Sequence, residues 1–433
     1  MTPAARLSAA IEVFAEVDAR RRPAADVLRD WGLSHRFAGS SDRAAIAGLV
    51  YDALRRKASA AWLMDEATPR AALIGMLHRE RGLDVAAIEA LCSGDRFAPE
   101  PLTDAEKTAL SRSLDGAPAA VQGEYPDWLD PYFARVFGDE RGPEGAALAS
   151  RAPLDLRVNT LKAEREELIP KLTHLNVEPT RWSPLGLRIR MAAESRSPAI
   201  HAEPAFRKGQ VEIQDEGSQL AALFAGAKPG EQVVDIAAGA GGKTLTLTAA
   251  MENRGQIYAT DIDKRQLVPI HERIARAKAR NIQVRTPRGE ADMLTDLNGR
   301  IDLVLIDAPC TGTGTWRRNP DAKWRVRPGA LAERVKQQAA LLDRAITLLK
   351  PKGRIAYVTC SVLAEENGDQ VRAFVERHPD FSVEKPTETA QPLGESVYLF
   401  ARAALISGQG LLMTPRRTDT DGFFVSMLRR RRS

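Results

Sequence analysis

A change of pattern near residue 208 constrains the fold more than any other feature of this 433-residue chain. Beyond it, continuous apolar runs alternate with stretches of helical spacing. The pattern predicts strands from Gln232 to Ala238, Gln256 to Asp263, Ile301 to Pro309 and Arg354 to Ser361. Leu331, Val335, Leu342, Ile346 and Leu349 mark an amphipathic helix before the last of them. Strands that are apolar on both faces need helices on both sides, which implies a mostly parallel sheet. The expected class is α/β, doubly wound and Rossmann-like.

Upstream, Leu7, Ile11, Phe14 and Val17, then Ile46, Leu49, Val50 and Leu54, recur at helical spacing. Residues 1–120 are therefore expected as an all-helical domain. Residues 117–150 mix proline, glycine and aromatics, which reads as a linker followed by short helices. Leu154 to Val158 alternates like a half-buried strand, Ala163 to Leu175 looks helical, and Leu187 to Ile189 looks like another strand. Residues 121–207 are expected as a small α/β subdomain and 208–433 as the large domain.

Composition excludes several classes. With 44% hydrophobic residues the chain is not disordered as a whole. Its longest small-apolar run, Leu220 to Ala227, falls far short of the ~18 residues of a membrane span, so no membrane association is expected. The acidic Glu12, Glu16 and Asp18 speak against a targeting peptide. The three cysteines, Cys92, Cys310 and Cys360, cannot build a disulfide framework, and none stands at metal-ligand spacing. A cytoplasmic protein without a metal site is expected, and a monomer. The net charge of +5 permits a polyanionic partner without demanding one. Charge is nearly balanced over the first 120 residues, so the basic excess lies downstream.

The first strand of the large domain runs into Asp235-Ile236-Ala237-Ala238-Gly239-Ala240-Gly241-Gly242-Lys243-Thr244. Glycines at a strand-to-helix turn let a backbone approach a ligand closely and aim its amides at it. A phosphate-binding Walker loop needs a glycine five positions before Gly242, where Ala237 stands, so that reading fails. In a Rossmann-like site, an acidic residue about 20 positions on binds ribose hydroxyls, and Asp261 stands there with Asp263 beyond it. Asp235 would repel phosphates and suits a cationic ligand such as S-adenosylmethionine.

Two of the three cysteines close strands, in Asp307-Ala308-Pro309-Cys310 and in Thr359-Cys360-Ser361. Ligands of open parallel sheets bind at the carboxyl ends of the strands. A thiol beside a methyl donor suits methylation of cytosine at carbon 5, a poor nucleophile until a thiolate adds at carbon 6 and makes the ring enamine-like. A buried, inert thiol is the ordinary alternative for either cysteine taken alone.

These residues resemble a known family. Asp307 to Gly312, Arg317-Arg318-Asn319-Pro320-Asp321, Lys323-Trp324, Thr359-Cys360-Ser361 with Glu365-Glu366-Asn367, and Asp421-Gly422-Phe423-Phe424 are similar to the motifs of RNA (cytosine-carbon-5) methyltransferases. Leu156 to Leu161 resembles that family's small RNA-binding, RRM-like subdomain. Asp42-Arg43-Ala44 with Leu49-Val50-Tyr51 resembles a helical domain related to the antitermination factor NusB. The three-part order resembles the Fmu/RsmB type, which acts on 16S ribosomal RNA.

The resemblance implies roles. Cys360 would be the nucleophile and Cys310 would assist proton removal and release, although Pro309-Cys310 also resembles the nucleophile dipeptide of DNA cytosine methyltransferases. Asp307 would bind the target base near the cofactor, with Lys243 close by. Ala237, Ala238, Gly239, Ala240, Gly241, Gly242 and Lys243 would wrap the methionine moiety of S-adenosylmethionine, and Asp261 would take the ribose. Asp292 or Glu290 would contact the adenine, with Asp292 preferred. The family loop usually reads Cys-Ala-Ala-Pro-Gly-Gly-Lys, so Ala237 and Ala240 replace its cysteine and proline.

For RNA, the stretch Trp316 to Arg327 carries five basic side chains against Asp321, with two tryptophans interleaved. Basic groups neutralise phosphates and aromatic faces stack unpaired bases, so Arg317, Arg318, Lys323 and Trp324 are the expected contacts. Methylation of ribosomal RNA is the leading expectation. Methylation of transfer RNA, and a non-catalytic RNA-binding assembly or antitermination factor, remain as alternatives.

Overall fold

The computed structural model describes residues 1–191, 198–289 and 292–431. The chain divides into two compact units, Met1–Arg151 with Trp316–Arg327, and Ala152–Thr315 with Pro328–Ser433.

The first unit is helical. Its longest helices are Pro3–Arg20, Ala24–Ser34, Ser40–Arg55 and Pro69–Arg79. Thr2 and Thr68 start two of them, each side chain accepting a backbone amide three residues on, with proline at the first helical position. The periodic residues Leu7, Phe14, Ile46, Val50 and Leu54 meet Leu73, Ile74 and Leu77 in one core. Each such side chain contributes about 1.5–3 kcal/mol when fully buried. The unit runs on to Arg151, past the expected boundary at 120. Glu124 is the reason: its buried carboxylate accepts the amides of Ala58 (3.1 Å) and Ser59 (3.2 Å), and Tyr125 beside it stacks on Phe133 at 4.4 Å. What reads as a linker is core.

The second unit carries two sheets. The smaller, wholly antiparallel, has the order Glu178–Pro179, Gly186–Ile189, Leu154–Val158, Val211–Ile213. Buried Arg188 reaches from it to Asp155 (2.7 Å), Asp419 (2.7 Å) and Glu216 (3.4 Å), a charge cluster in which every member has an opposite partner.

The larger sheet contains, among the described residues, β1 (Gln232–Asp235), β2 (Gln256–Ala259), β3 (Ile282–Val284), β4 (Ile301–Asp307), β5 (Leu349–Thr359), β6 (Phe381–Val383), β7 (Leu405–Ser407), β8 (Gly410–Met413) and β9 (Phe423–Arg430). Their order is β7-β8-β9-β5-β4-β1-β2-β3, with β6 also on β9. Strands β1 to β5 pair in parallel, whereas β9 runs antiparallel to β5 and β8 to β9. The inner strands bear out the sequence pattern, since Leu303 to Ile306 and Ile355 to Val358 are wholly buried. Strand order reverses between β1 and β4, and the crevice at the carboxyl ends there is where open α/β sheets bind ligands. No helix among the described residues is long and apolar enough to cross a membrane.

Candidate active site

Three neighbouring strands end at that crevice. Asp235 closes β1, Asp307 closes β4, and Cys360 follows Thr359 at the end of β5. The parallel register sets Asp235 opposite Leu305 and Asp307 opposite Val358, so from β1 through β4 to β5 the groups step outward by two residues per strand along the carboxyl edge.

The glycine loop leaves β1 through a tight turn in which the Gly241 amide donates to the Ala238 carbonyl (2.9 Å). Gly239 and Gly241 have φ of +52° and +81°, a region that side chains disfavour. A Cβ on Gly241 would lie 2.4 Å from Ile270, so that position accepts only glycine. Around Gly239 the space is open to 4 Å, as a loop that must meet a ligand requires. Asp261 stands two residues beyond the end of β2. Its carboxylate accepts the amides of Gly239 and Asp263, both at 3.0 Å, and joins the acidic residue to the loop. Asp263 instead turns to Arg265, at 2.9 Å. An acidic residue beside an open glycine turn fits a nucleoside with a charged amino-acid tail. Asp292 lies 2.7 Å from Arg344 and caps the Leu294 amide at 2.9 Å, while Glu290 lies outside the described residues.

Lys243, buried, donates to Asp307 at 2.7 Å and lies 4.9 Å from the centre of the Phe423 ring. Burial alone would lower its ammonium, but Asp307, then Cys360 and Asp235, more than offset this and hold it above the ordinary lysine value. Asp235 is fully buried, and desolvation pushes its carboxyl up to about 7 against a hydrogen bond from Thr244.

The two cysteines meet. Cys310 Sγ and Cys360 Sγ lie 3.3 Å apart, and both side chains are partly accessible. Two thiolates at that distance would repel. The hydrogen bond to Cys360, with burial, raises the Cys310 thiol well above its usual value, so Cys310 keeps its proton at neutral pH.

Glu366 and Asn367 hold this pair in place, although the motif that contains them had suggested no role for either. Glu366, wholly buried, accepts the Thr311 amide (2.8 Å), the Thr311 hydroxyl and the Gln338 amide (3.1 Å). Asn367 donates to the Ser361 carbonyl (2.8 Å) and accepts from the Thr359 hydroxyl. One turn thus ties down the residue after Cys310 and the residues on both sides of Cys360. Gly314 packs against Gly422, where a Cβ would come 2.1 Å from the Gly422 carbonyl oxygen.

The segment expected to contact RNA belongs to the helical unit. Trp316 to Arg327 packs into the helical unit: Lys323 is 0% and Arg317 2% exposed. Lys323 donates to the Arg55 carbonyl (3.0 Å), Trp324 to the Leu54 carbonyl (2.7 Å), and Arg55 to the Arg317 carbonyl (2.7 Å). Arg318 is half-buried and Arg325 pairs with Asp321. Burial lowers the Lys323 ammonium to about 7, against the attraction of Glu124. Lys323 and Trp324 serve packing of the helical unit, because their partners are its backbone carbonyls.

Residues 222–429 match the sequence family described as 16S rRNA methyltransferase RsmB/F. The chain is 32% identical over 315 residues to a probable ribosomal RNA small subunit methyltransferase B of Synechocystis, covering 71% of this chain and 67% of the relative. The chain belongs to that family. Its cofactor is S-adenosylmethionine, and it is an S-adenosylmethionine-dependent RNA methyltransferase. Among solved structures it is similar to PH0851, with 25% identity, a TM-score of 0.72 and 99% of both chains covered. It also resembles a methyltransferase homologue from Pyrococcus horikoshii, with 26% identity, a TM-score of 0.57, and 72% of this chain and 97% of that one covered. The expected Rossmann-like methyltransferase class is therefore borne out.

Proposed function

We propose that this RsmB/F-family protein methylates carbon 5 of a cytosine in 16S ribosomal RNA, in the cytoplasm, through a covalent adduct with Cys360. The observation that carries the reading is the 3.3 Å contact of Cys360 with Cys310 beside the Lys243–Asp307 pair and the glycine loop. The name of the Synechocystis relative supports the ribosomal substrate.

S-adenosylmethionine supplies an electrophilic methyl group on a sulfonium. Asp261 holds the ribose, and the turn from Ala237 to Lys243 receives the methionine end. Asp307, fixed by Lys243, hydrogen-bonds the target base. The Cys360 thiolate adds to carbon 6 and makes carbon 5 nucleophilic, so that carbon 5 takes the methyl group. Cys310 then assists release: its thiol gives its proton to the departing Cys360 sulfur 3.3 Å away, and the Cys310 thiolate so formed takes the carbon 5 proton. When the carbon 6–sulfur bond breaks, its electron pair returns to Cys360.

Two cysteine variants test the reading. Cys360→Ala should neither methylate nor form an RNA adduct, whereas Cys310→Ala should methylate once and remain linked to RNA on a denaturing gel. The reverse pattern would give the nucleophile's role to Cys310. Mass mapping of cytosines in small-subunit RNA, with and without the gene, tests the substrate, and an unchanged map would refute it.

A further inference from the structure

The glycine loop differs from its family pattern where Ala240 stands in place of proline, and it lacks the rigidity a proline ring supplies. With Gly239 on one side and Gly241 on the other, the three-residue stretch has wide backbone freedom. Asp261 ties the Gly239 amide and the Ala238 carbonyl ties the Gly241 amide, which leaves the Ala240 peptide to be held. The Ala240 carbonyl accepts a hydrogen bond from Arg273 Nη1 at 2.9 Å. Arg273 lies on the helix Ile270–Ala277, whose first residue packs against Gly241. The rest of its guanidinium is engaged by Glu212, at 3.2 Å from Nε and 3.1 Å from Nη2. Glu212, on the small-sheet strand Val211–Ile213, is only 2% exposed and also binds Arg276 at 2.7 Å. The guanidinium fork suits this bridging: one end holds a carbonyl while the other is fixed by a carboxylate.

We propose that Arg273 is a positioning residue that sets the affinity for S-adenosylmethionine by clamping the Ala240 carbonyl, with Glu212 as its anchor. Arg273 acts through the loop and needs no contact with the cofactor. The inference rests on the reading that this loop holds the cofactor. Without the clamp, ordering the loop falls on the binding step and weakens it. The effect belongs to cofactor affinity, since the loop of the saturated enzyme is already ordered.

A proline at 240 offers an independent substitute. The Ala240 amide has no hydrogen-bond partner among the described residues, and its φ lies outside the left-handed region, so proline removes no bond there.

The test is calorimetric titration of S-adenosylmethionine into the full chain, with kcat measured at saturating cofactor. Arg273→Ala should raise Kd by about 10-fold, the cost of freeing about one residue, and leave kcat within about twofold. Glu212 keeps Arg276, so the variant should melt as a folded protein. Arg273→Lys, which retains one point donor, should fall between. Ala240→Pro should bind at least as tightly as the natural chain and should recover most of the affinity lost in Arg273→Ala. An unchanged Kd in Arg273→Ala overturns the proposal, and so does an equal loss with and without the proline, because the arginine would then act directly on the cofactor. Asp261→Ala in parallel separates this from the reading beneath it: loss there but not in Arg273→Ala refutes the clamp alone, and loss in neither refutes both.

Discussion

Asp261 does two things with one carboxylate, and its substitution separates them. Its oxygens accept the Gly239 and Asp263 amides, both at 3.0 Å, and in the proposed complex also receive ribose hydroxyls. A hydrogen bond to a charged acceptor is worth about 1.5–3 kcal/mol, against about 0.5–1.5 for a neutral one. Asp261→Asn keeps an acceptor but loses the charge, a change of about 1–1.5 kcal/mol, or roughly 5- to 10-fold in Kd. Asp261→Ala removes the acceptor altogether and frees the Gly239 amide, so at least 10-fold and up to about 150-fold is expected. Asp263→Ala should cost less than about threefold, because that carboxylate is engaged by Arg265. Titration of S-adenosylmethionine by calorimetry reads all three. The reasoning fails if Asp261→Ala binds within threefold of the natural chain, or if Asp263 proves the more sensitive residue.

Glu366→Ala strands the Thr311 amide, the Thr311 hydroxyl and the Gln338 amide, so a loss on the order of 3 kcal/mol in a denaturant melt is expected. Single-turnover rate should fall more than affinity, with Glu366→Gln milder in both, and a change in KM at unaltered kcat would contradict its role beside Cys310. Asp235, raised by burial from 3.8 to about 7, holds its proton longer in the native than in the unfolded chain. The relative stability it confers is full below about pH 3.8 and is lost as pH rises to about 7, by at most on the order of 4 kcal/mol. Asp235→Asn should therefore gain melting temperature over the natural chain as pH rises through that window, and a constant difference would count against the burial argument. Lys323→Met should change stability but leave the salt slope of RNA binding unaltered, and a slope shallower by about 1 would return Lys323 to the RNA footprint.

Local pattern sufficed wherever a residue's neighbours in the chain decided its place. The apolar runs of β4 and β5, the helix Pro328–Leu348 between them and the glycine turn with its distant aspartate follow from period and spacing, because a strand buried on both faces has no other composition. That Cys310 and Cys360 each close a strand follows in the same way, whereas their meeting depends on the pairing of β4 with β5, which only the sheet order decides. Tertiary structure decided what depends on partners far along the chain. Lys323 reads as a surface charge until Arg55, more than 260 residues away, offers its carbonyl, and no local signal announces such a partner. Glu124 reads as linker until the amides of Ala58 and Ser59 meet its carboxylate. Arg273 lies on a strongly amphipathic helix whose charged face looks like solvent, yet the fold brings Ala240 and Glu212 to it from two other elements. Burial of a charge is a property of the assembled neighbourhood, so spacing along the chain cannot encode it.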